Sequence, residues 1–599
     1  MIKPRPSIRR AITEPLERRV LLNAMPTGPE FRVNTYTTSR QFIPSMGMDA
    51  DGDFVIAWSS DGQDGSSYGI YAQRFNAAGA PQGGEFRVNT FTERGQNRPS
   101  VAMDADGDFV IAWDRLGQKG VEPTGVFAQR FNAAGVPQGG EFRVNTSTAI
   151  GYSPSESIGM DADGDFVIAW ETDALDGDLE GIQAQRFNAA GIPQGGEFRV
   201  NTYTTSAQEF PSVAMDSDGD FVIAWTSYGQ DGSFRGVYAQ RYSAAGVPQG
   251  SEFRVNTYTS NNQLFPKVGM NAAGDFVIGW SSDGQDGSGY GIYAQRYDAA
   301  GVRQGGEFRV STQTSNAQNW PSLDMGAAGH FVVTWTSEGQ DGSGSGVYAQ
   351  QYDATGVRQG GEFRVNTYTT NPQIAGSVGM DADGNFVVAW SSDGQDGSSN
   401  GVYAQRYAVV AAPAVSASSF LFETAPQRLS FVFNQNVGAS LDLSDIVVQA
   451  LPNGPTVNPT AVSFDGATNT ATFTFSGILP DANFRATLIG AGITNPSGAP
   501  MQSDHVFDFF FLSGDANRDG RVNLDDFNVL AANFGQSPRD FTQGDFTYDA
   551  VVNLQDFNIL AGRFGSALSA ADPAGDAGRS NALAADGQVD DDERDELLE

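Results

Sequence analysis

The chain has 599 residues, a formal charge of −35, 72 glycines, 41 phenylalanines, two histidines and no cysteine. A surface this acidic excludes a phosphate-binding role on nucleic acid or anionic lipid, and the absence of cysteine excludes disulfides, thiolate metal ligands and a thiol nucleophile. No apolar run is long enough to span a bilayer as a helix, and the length and glycine content predict several turn-rich β domains.

Residues 1–29 open with Lys3, Arg5, Arg9 and Arg10, and the apolar run Val20-Leu21-Leu22 is shorter than a secretory signal core. The stretch from Pro15 to Ala24 resembles the L-E-P-R-x-L-L-S-A segment that opens many planctomycete extracellular proteins, departing from it at Arg18 and Asn23. The resemblance implies export to an extracellular or cell-surface location.

From residue 30 the chain repeats itself. Glu-Phe-Arg-Val recurs at Glu30, Glu85, Glu141, Glu197, Glu252, Glu307 and Glu362, at steps of 55 or 56 residues. Each repeat contains four short β-type runs separated by Gly, Asp, Asn and Pro turns, which predicts a four-stranded antiparallel sheet. In the second run Phe54, Ile56 and Trp58 share one face and Val55 and Ala57 the other, so both faces need covering, and radially stacked sheets provide that. The array opens on a fourth-strand sequence, Phe31 to Thr35, and ends on a third-strand sequence, Gly401 to Tyr407. This offset predicts a closed seven-bladed β-propeller over 30–410, its last blade completed by the N-terminal strand. Trp58, Trp113, Trp170, Trp225, Trp280, Trp335 and Trp390 are expected as wedges between blades, and Arg74, Arg130, Arg186 and Arg241 as partners of turn carbonyls or acids. The Gly-x-Tyr-Ala-Gln-Arg-Phe pattern resembles repeats of large secreted bacterial surface proteins.

A site for one ligand needs asymmetry, which the repeats supply in their loops. The links beginning at Thr92, Ser147 and Thr314 and the loops beginning at Arg115 and Thr172 depart from the repeat, and both sets are expected on one face. Phe210, Phe265 and Trp320 each precede proline, which predicts an extended backbone there and either an aromatic platform for sugar rings or packing between blades. The turns of the type Asp49-Ala50-Asp51-Gly52-Asp53 resemble the start of a calcium loop but are equally what a tight hairpin requires.

Over 411–512 apolar and polar residues alternate, as in Leu429 to Phe433 and Thr470 to Phe475, the pattern of a β-sandwich. The segment resembles the Ig-like modules of bacterial surface-layer proteins, which implies a spacer.

Residues 513–567 carry the clearest chemistry. A hard cation takes six to eight oxygens, and a twelve-residue loop delivers them from positions one, three, five, seven, nine and twelve. In the first loop these are Asp515, Asn517, Asp519, the Arg521 carbonyl, Asn523 and Asp526, with Gly520 at the sharp turn. In the second they are Asp545, Thr547, Asp549, the Val551 carbonyl, Asn553 and Asp556, with Ala550 replacing the glycine, so weaker binding is expected there. Each loop runs into an amphipathic helix, Leu524 to Phe534 and Leu554 to Phe564. This duplicated loop-helix unit resembles a type I dockerin, which implies two Ca2+ ions and a cohesin-like or other cell-surface partner. Residues just before the last ligand, Leu524-Asp525 and Leu554-Gln555, depart from the Ser/Thr usual in dockerins that bind well-studied cohesins. Metal binding and folding are expected to be coupled within residues 510–567. The tail, 568–599, with Asp590-Asp591-Asp592-Glu593, is expected to be disordered.

The predicted fold is therefore mainly β: a seven-bladed β-propeller, an Ig-like β-sandwich and a small α-helical dockerin domain. The expected function is non-catalytic extracellular or cell-surface binding or adhesion, anchored through the dockerin, with a carbohydrate or protein ligand on the propeller loop face. The alternative is a component of polysaccharide degradation of the O-glycosyl hydrolase type. No nucleophile with a base and no paired carboxylates stand out, although the non-repeated acids Glu93, Glu122, Glu156, Asp173 and Glu209 are candidates.

Overall fold

A computed structural model describes residues 22–116, 124–147, 155–173, 175, 177–496, 500–501 and 503–568. The export segment up to Leu21, Glu122, most of the link beginning at Ser147 and the acidic tail after Leu568 lie outside the described residues. The chain forms two compact units, Met1–Ala412 and Pro413–Glu599.

The first unit contains six antiparallel sheets of four strands and a seventh of five. In blade one the strands are Gln41–Met48, Phe54–Asp61, Tyr68–Phe75 and Phe86–Arg87, in sequence order. The first strand of each blade packs on the first strand of the next, and Gln373–Met380 of blade seven returns to Gln41–Met48 of blade one. The sheets thus form a closed ring, a β-propeller. Second strands are buried on both faces, as Phe54–Asp61 shows, and the seven repeated tryptophans are at most 1% exposed.

Closure uses the offset legible in the repeats. Phe31–Arg32 pairs with Asn400–Ala411, the third strand of blade seven, at Phe31↔Ala404 and Arg32↔Tyr403. Glu30 then ties blade seven to the link that leaves blade six: its carboxylate accepts from the Thr367 amide of that link and from the Gln395 side chain of blade seven, each at 2.6 Å. Glu85 makes the same pair of bonds, to Thr35 and Gln63. A further strand, Leu22–Pro26, pairs with Tyr407 to Ala411, so part of the 1–29 segment belongs to the seventh sheet. That strand covers an edge that a two-residue fourth strand leaves open.

Two repeated contacts join neighbouring blades. Ser45, Ser100, Ser157, Ser212 and Ser377 accept, on the inner strands, from a backbone amide of the adjoining blade at 3.0–3.3 Å. Lys267 holds the equivalent position in blade five, opposite Gly279. At the blades' other turns, Arg74, Arg130, Arg186 and Arg241 donate to Ala134, Ala190, Ala245 and Ala300 carbonyls. Asp49 accepts from the Asp51 and Asp53 amides and Asp53 from the Ala77 amide, so these carboxylates organise turns.

The second unit begins as two antiparallel sheets. One has the order Val415–Leu421, Arg428–Phe433, Thr470–Thr474, Ala461–Asp465; the other has Ile446–Ala450, Ala482–Leu488, His505–Phe511. Burial alternates along Arg428–Phe433, which places Leu429, Phe431 and Phe433 inside. Helices α1 (Leu524–Asn533) and α2 (Leu554–Arg563) follow. Leu530 and Leu560 of these helices, with Val522 and Val552 of the loops before them, are continuous with Leu429, Phe473 and Phe484 of the sheets, so the last hundred and fifty or so described residues share one core.

Candidate functional site

In five blades the first strand carries a bulge after its second residue, with register shifts between Phe42 and Ser45, Asn97 and Ser100, Glu209 and Ser212, Leu264 and Lys267, and Asn319 and Ser322. The bulged residues have left-handed backbones: Ile43 at φ 52°, Arg98 at 52°, Phe210 at 57°, Phe265 at 56° and Trp320 at 52°. The extended backbone expected before proline is therefore not what forms. A bulge must place one extra residue without losing the ladder on either side, and the positive φ does so.

The adjoining blade satisfies three of the displaced amides, while the Trp320 amide donates to the neighbouring Asn319 Oδ1 at 2.9 Å. Ile43 donates to Ser391 Oγ at 3.2 Å, Arg98 to Ser59 Oγ at 3.1 Å and Phe210 to Glu171 Oε1 at 2.5 Å. The bulge also throws side chains to the channel mouth, where Ile43 is 40% and Trp320 45% exposed. Phe210 and Phe265 pack on each other, ring centroids 4.7 Å apart, so the predicted trio divides into a packed pair and an exposed indole.

Around the same mouth four acids interact through blades two to four. The residue after the core tryptophan is Ser59, Thr226, Ser281, Thr336 or Ser391 in five blades but Asp114 and Glu171 in blades two and three. Asp114 is fully buried. Glu156 pairs with Trp170 directly ahead of the serine ring, where Pro44, Pro99, Pro211, Pro266 and Pro321 stand in other blades. Its stem keeps some exposure, but both carboxylate oxygens are sealed from solvent and have no hydrogen-bond partner. Burial pushes its pKa well above the usual carboxylate range, the charges of Asp114 and Glu171 push it further, and the Arg98 guanidinium opposes them.

Glu171 is pushed up to about 7, chiefly by burial and against the Phe210 and Ser155 amides that it accepts. Glu209, whose charge adds to that shift, pairs with Arg235 at 3.0 Å, and Arg235 lies 5.3 Å from the Tyr228 ring. Of the acids picked out in the sequence, Glu156 and Glu209 are thus both linked to Glu171, while Glu93 and Asp173 are exposed. Asp114 and Glu171 escaped notice there; the break in the Trp-Ser/Thr pattern was the signal for them.

The second candidate is the pair of acidic loops. Asp515 and Asp526 are fully buried, as is Asp556, and Asp545 is 2% exposed. Asp515 accepts from the Asp519 and Gly520 amides at 3.2 and 2.9 Å, and Asp526 from Ala516 and Asn523 at 2.8 and 2.9 Å. The second loop repeats this: Asp545 accepts from Asp549 and Ala550, and Asp556 from Thr547 and Asn553. Asn517, Asp519 and Arg521 in one loop and Asp549 and Val551 in the other line an exposed rim, with Thr547 half-buried. Asn523 and Asn553 also cap α1 and α2, reciprocated by Asp526 and Asp556.

Among the described residues no three His, Cys, Asp or Glu side chains gather as for a metal; each loop brings two carboxylates together and leaves the third on the rim. Burial raises the Asp515 pKa to about 6, and the Asp526 and Asp519 charges add to it. Buried like charges with free oxygen donors alongside are a donor set that suits a hard cation. Gly520 has φ 80°, and Ala550 occupies the same left-handed turn at 66°. The fourth loop residues, Arg518 and Tyr548, are also left-handed, at 64° and 62°, which spacing alone did not indicate.

No protein-family model matches this sequence, and no curated protein matches it. Solved structures are similar to it only remotely. A Dyadobacter fermentans protein of unknown function is 10% identical, covering 65% of this chain and 100% of its own, with a TM-score of 0.39. A Penicillium chrysogenum alpha-L-arabinanase is 12% identical, covering 56% and 99%, with a TM-score of 0.39. The β-propeller domain of the Pyrococcus furiosus Trilobed protease is 10% identical, covering 62% and 94%, with a TM-score of 0.37. Likeness this remote assigns neither activity nor ligand.

Proposed function

We propose that this protein is an extracellular component of polysaccharide degradation, in which the propeller mouth engages a sugar chain and a dockerin-type module on two Ca2+ ions docks it to a cohesin-like or other cell-surface partner. The observation that carries the reading is the mouth itself: an exposed indole, Trp320, on the same bulge ring as the Glu171, Glu209 and Arg235 network. Indole faces stack on sugar rings, and a carboxylate beside a guanidinium offers acceptor and fixed donors to vicinal hydroxyls. Glu171, protonated over part of the neutral range, is able to hold or deliver a proton there.

In the C-terminal loops, Asp515, Asn517, Asp519, Arg521, Asn523 and Asp526 would hold one Ca2+ and Asp545, Thr547, Asp549, Val551, Asn553 and Asp556 the other. The ions would supply the positive charge that the buried aspartates require. The export-like N-terminal segment supports an extracellular setting.

Non-catalytic surface adhesion is the second reading. It is favoured by Ser59 and Ser391, which cap bulge amides as Glu171 does and so give that carboxylate a structural duty. Pull-down on a panel of insoluble polysaccharides, with reducing-end release measured in parallel, separates the two. Binding and release, both lost in Trp320→Ala and Glu209→Gln, support degradation. Binding without release selects adhesion to carbohydrate, and no binding to any polysaccharide overturns the mouth as a sugar site.

A further inference from the structure

The fourth residue of each loop leaves the loop for the sandwich. Arg518 donates from Nη2 to the Phe510 carbonyl at 2.9 Å, and its guanidinium carbon lies 4.1 Å from the ring centres of both Phe422 and Phe510. Tyr548 donates its hydroxyl to the Phe422 carbonyl at 2.8 Å and accepts from Gln427 Nε2 at 2.9 Å. Gln427 is fully buried, and its Oε1 accepts from the Leu479 amide at 2.8 Å, so this chain of bonds ends inside the sandwich. Between the two anchors, Phe541 is fully buried with ring centroids at 5.4 Å to Phe511, 5.7 Å to Phe422 and 5.7 Å to Tyr548.

These anchors are placed where the loops have no slack. A left-handed backbone at an arginine or tyrosine costs free energy and persists only where surroundings hold it. The next amide after each, Asp519 N and Asp549 N, donates to the loop's first carboxylate, Asp515 Oδ1 or Asp545 Oδ1. Positions three and five, Asn517 with Asp519 and Thr547 with Asp549, flank the same strained residue. A loop that rearranges must therefore move Arg518 or Tyr548 against the aromatic face and the Gln427 bonds.

We infer that the two loops and the sandwich are one cooperative unit, in which Arg518 and Tyr548 couple occupancy of the loops by Ca2+ to the fold of the sandwich. The inference rests on the calcium reading of the loops. Linkage makes it reciprocal: calcium protects the sandwich from opening, and opening of the sandwich weakens calcium binding by the same factor.

The test uses the full chain with Ca2+ as the probe. Calorimetric titration measures uptake, and hydrogen exchange with and without chelator follows the sandwich strands Arg428–Phe433 and Ala482–Leu488. Wild type should take up calcium and slow exchange in both strands. Tyr548→Phe and Arg518→Lys, which keep size or charge, should each lower calcium affinity and the protection of the strands together, by about five- to tenfold. Calcium uptake with unchanged strand exchange overturns the coupling and leaves the calcium reading intact. Coupled wild-type behaviour that neither variant alters overturns the role of these two residues. Absence of uptake by wild type overturns the calcium reading and the coupling with it.

Discussion

Replacing Asn34 by alanine tests ring closure against an internal standard. Asn34 is 1% exposed, accepts from the Val402 amide at 2.7 Å across the closing junction, and donates to Tyr36 O at 2.8 Å and Gln41 Oε1 at 3.3 Å. Asn256 makes the same three bonds inside the array, to Val237 N at 2.8 Å, Tyr258 O at 2.8 Å and Gln263 Oε1 at 3.3 Å. Alanine at either position leaves a buried amide without a partner, about 1–3 kcal/mol, and removes further bonds worth about 1 kcal/mol net, so each change should cost about 2–4 kcal/mol. All eight tryptophans lie in the first unit, so indole emission during urea unfolding of the full chain reports that unit alone. The two costs should agree within about 0.5 kcal/mol. A full loss for Asn256→Ala beside a negligible loss for Asn34→Ala would refute closure by the N-terminal strand.

Other expectations follow from single residues. Because Glu171 has a pKa raised from 4.5 to about 7, the folded propeller binds protons that the unfolded chain releases, and its stability should fall as pH rises through that window. Glu171→Gln should flatten the slope by up to about 3 kcal/mol between those limits, read from urea midpoints across pH; an unchanged slope contradicts the assigned burial. Ala550→Gly relieves a left-handed alanine and should stabilise the second unit by about 1 kcal/mol in calorimetry, whereas a loss would mean that the turn is not strained. Lys267→Ser restores the inner-strand serine of blade five and should add about 1 kcal/mol to propeller stability by the same emission assay; a destabilised variant would give the lysine a structural role.

Much of the propeller was readable because its information is local. Each blade is built from strands adjacent in sequence, so alternation, turns and period disclose it, and the offset between first and last repeat discloses closure. The prolines after Phe210, Phe265 and Trp320 misled for the same local reason: pre-proline preference is a property of a dipeptide, and the bulge is a property of a sheet. The glycine at 520 and its absence at 550 were legible as a φ requirement, since loop spacing sets that position. Arg518 and Tyr548 were not, because nothing in the loop's ligand pattern demands a left-handed fourth residue.

The sequence by itself determined the number of blades, the tryptophan wedges and the oxygen-rich loops, all of which depend on periodicity or on spacing within a dozen residues. Only the tertiary structure decided that Asp114, Glu156, Glu171 and Glu209 interact around one mouth, because radial stacking brings together positions that come from three different repeats. It likewise decided that the loops share a core with the sandwich. Helices of ten residues cannot enclose Phe541 and Leu560 alone; both belong to the core shared with the sheets, and the rings against Phe541 come from Phe511, thirty residues earlier, and Phe422, more than a hundred residues earlier.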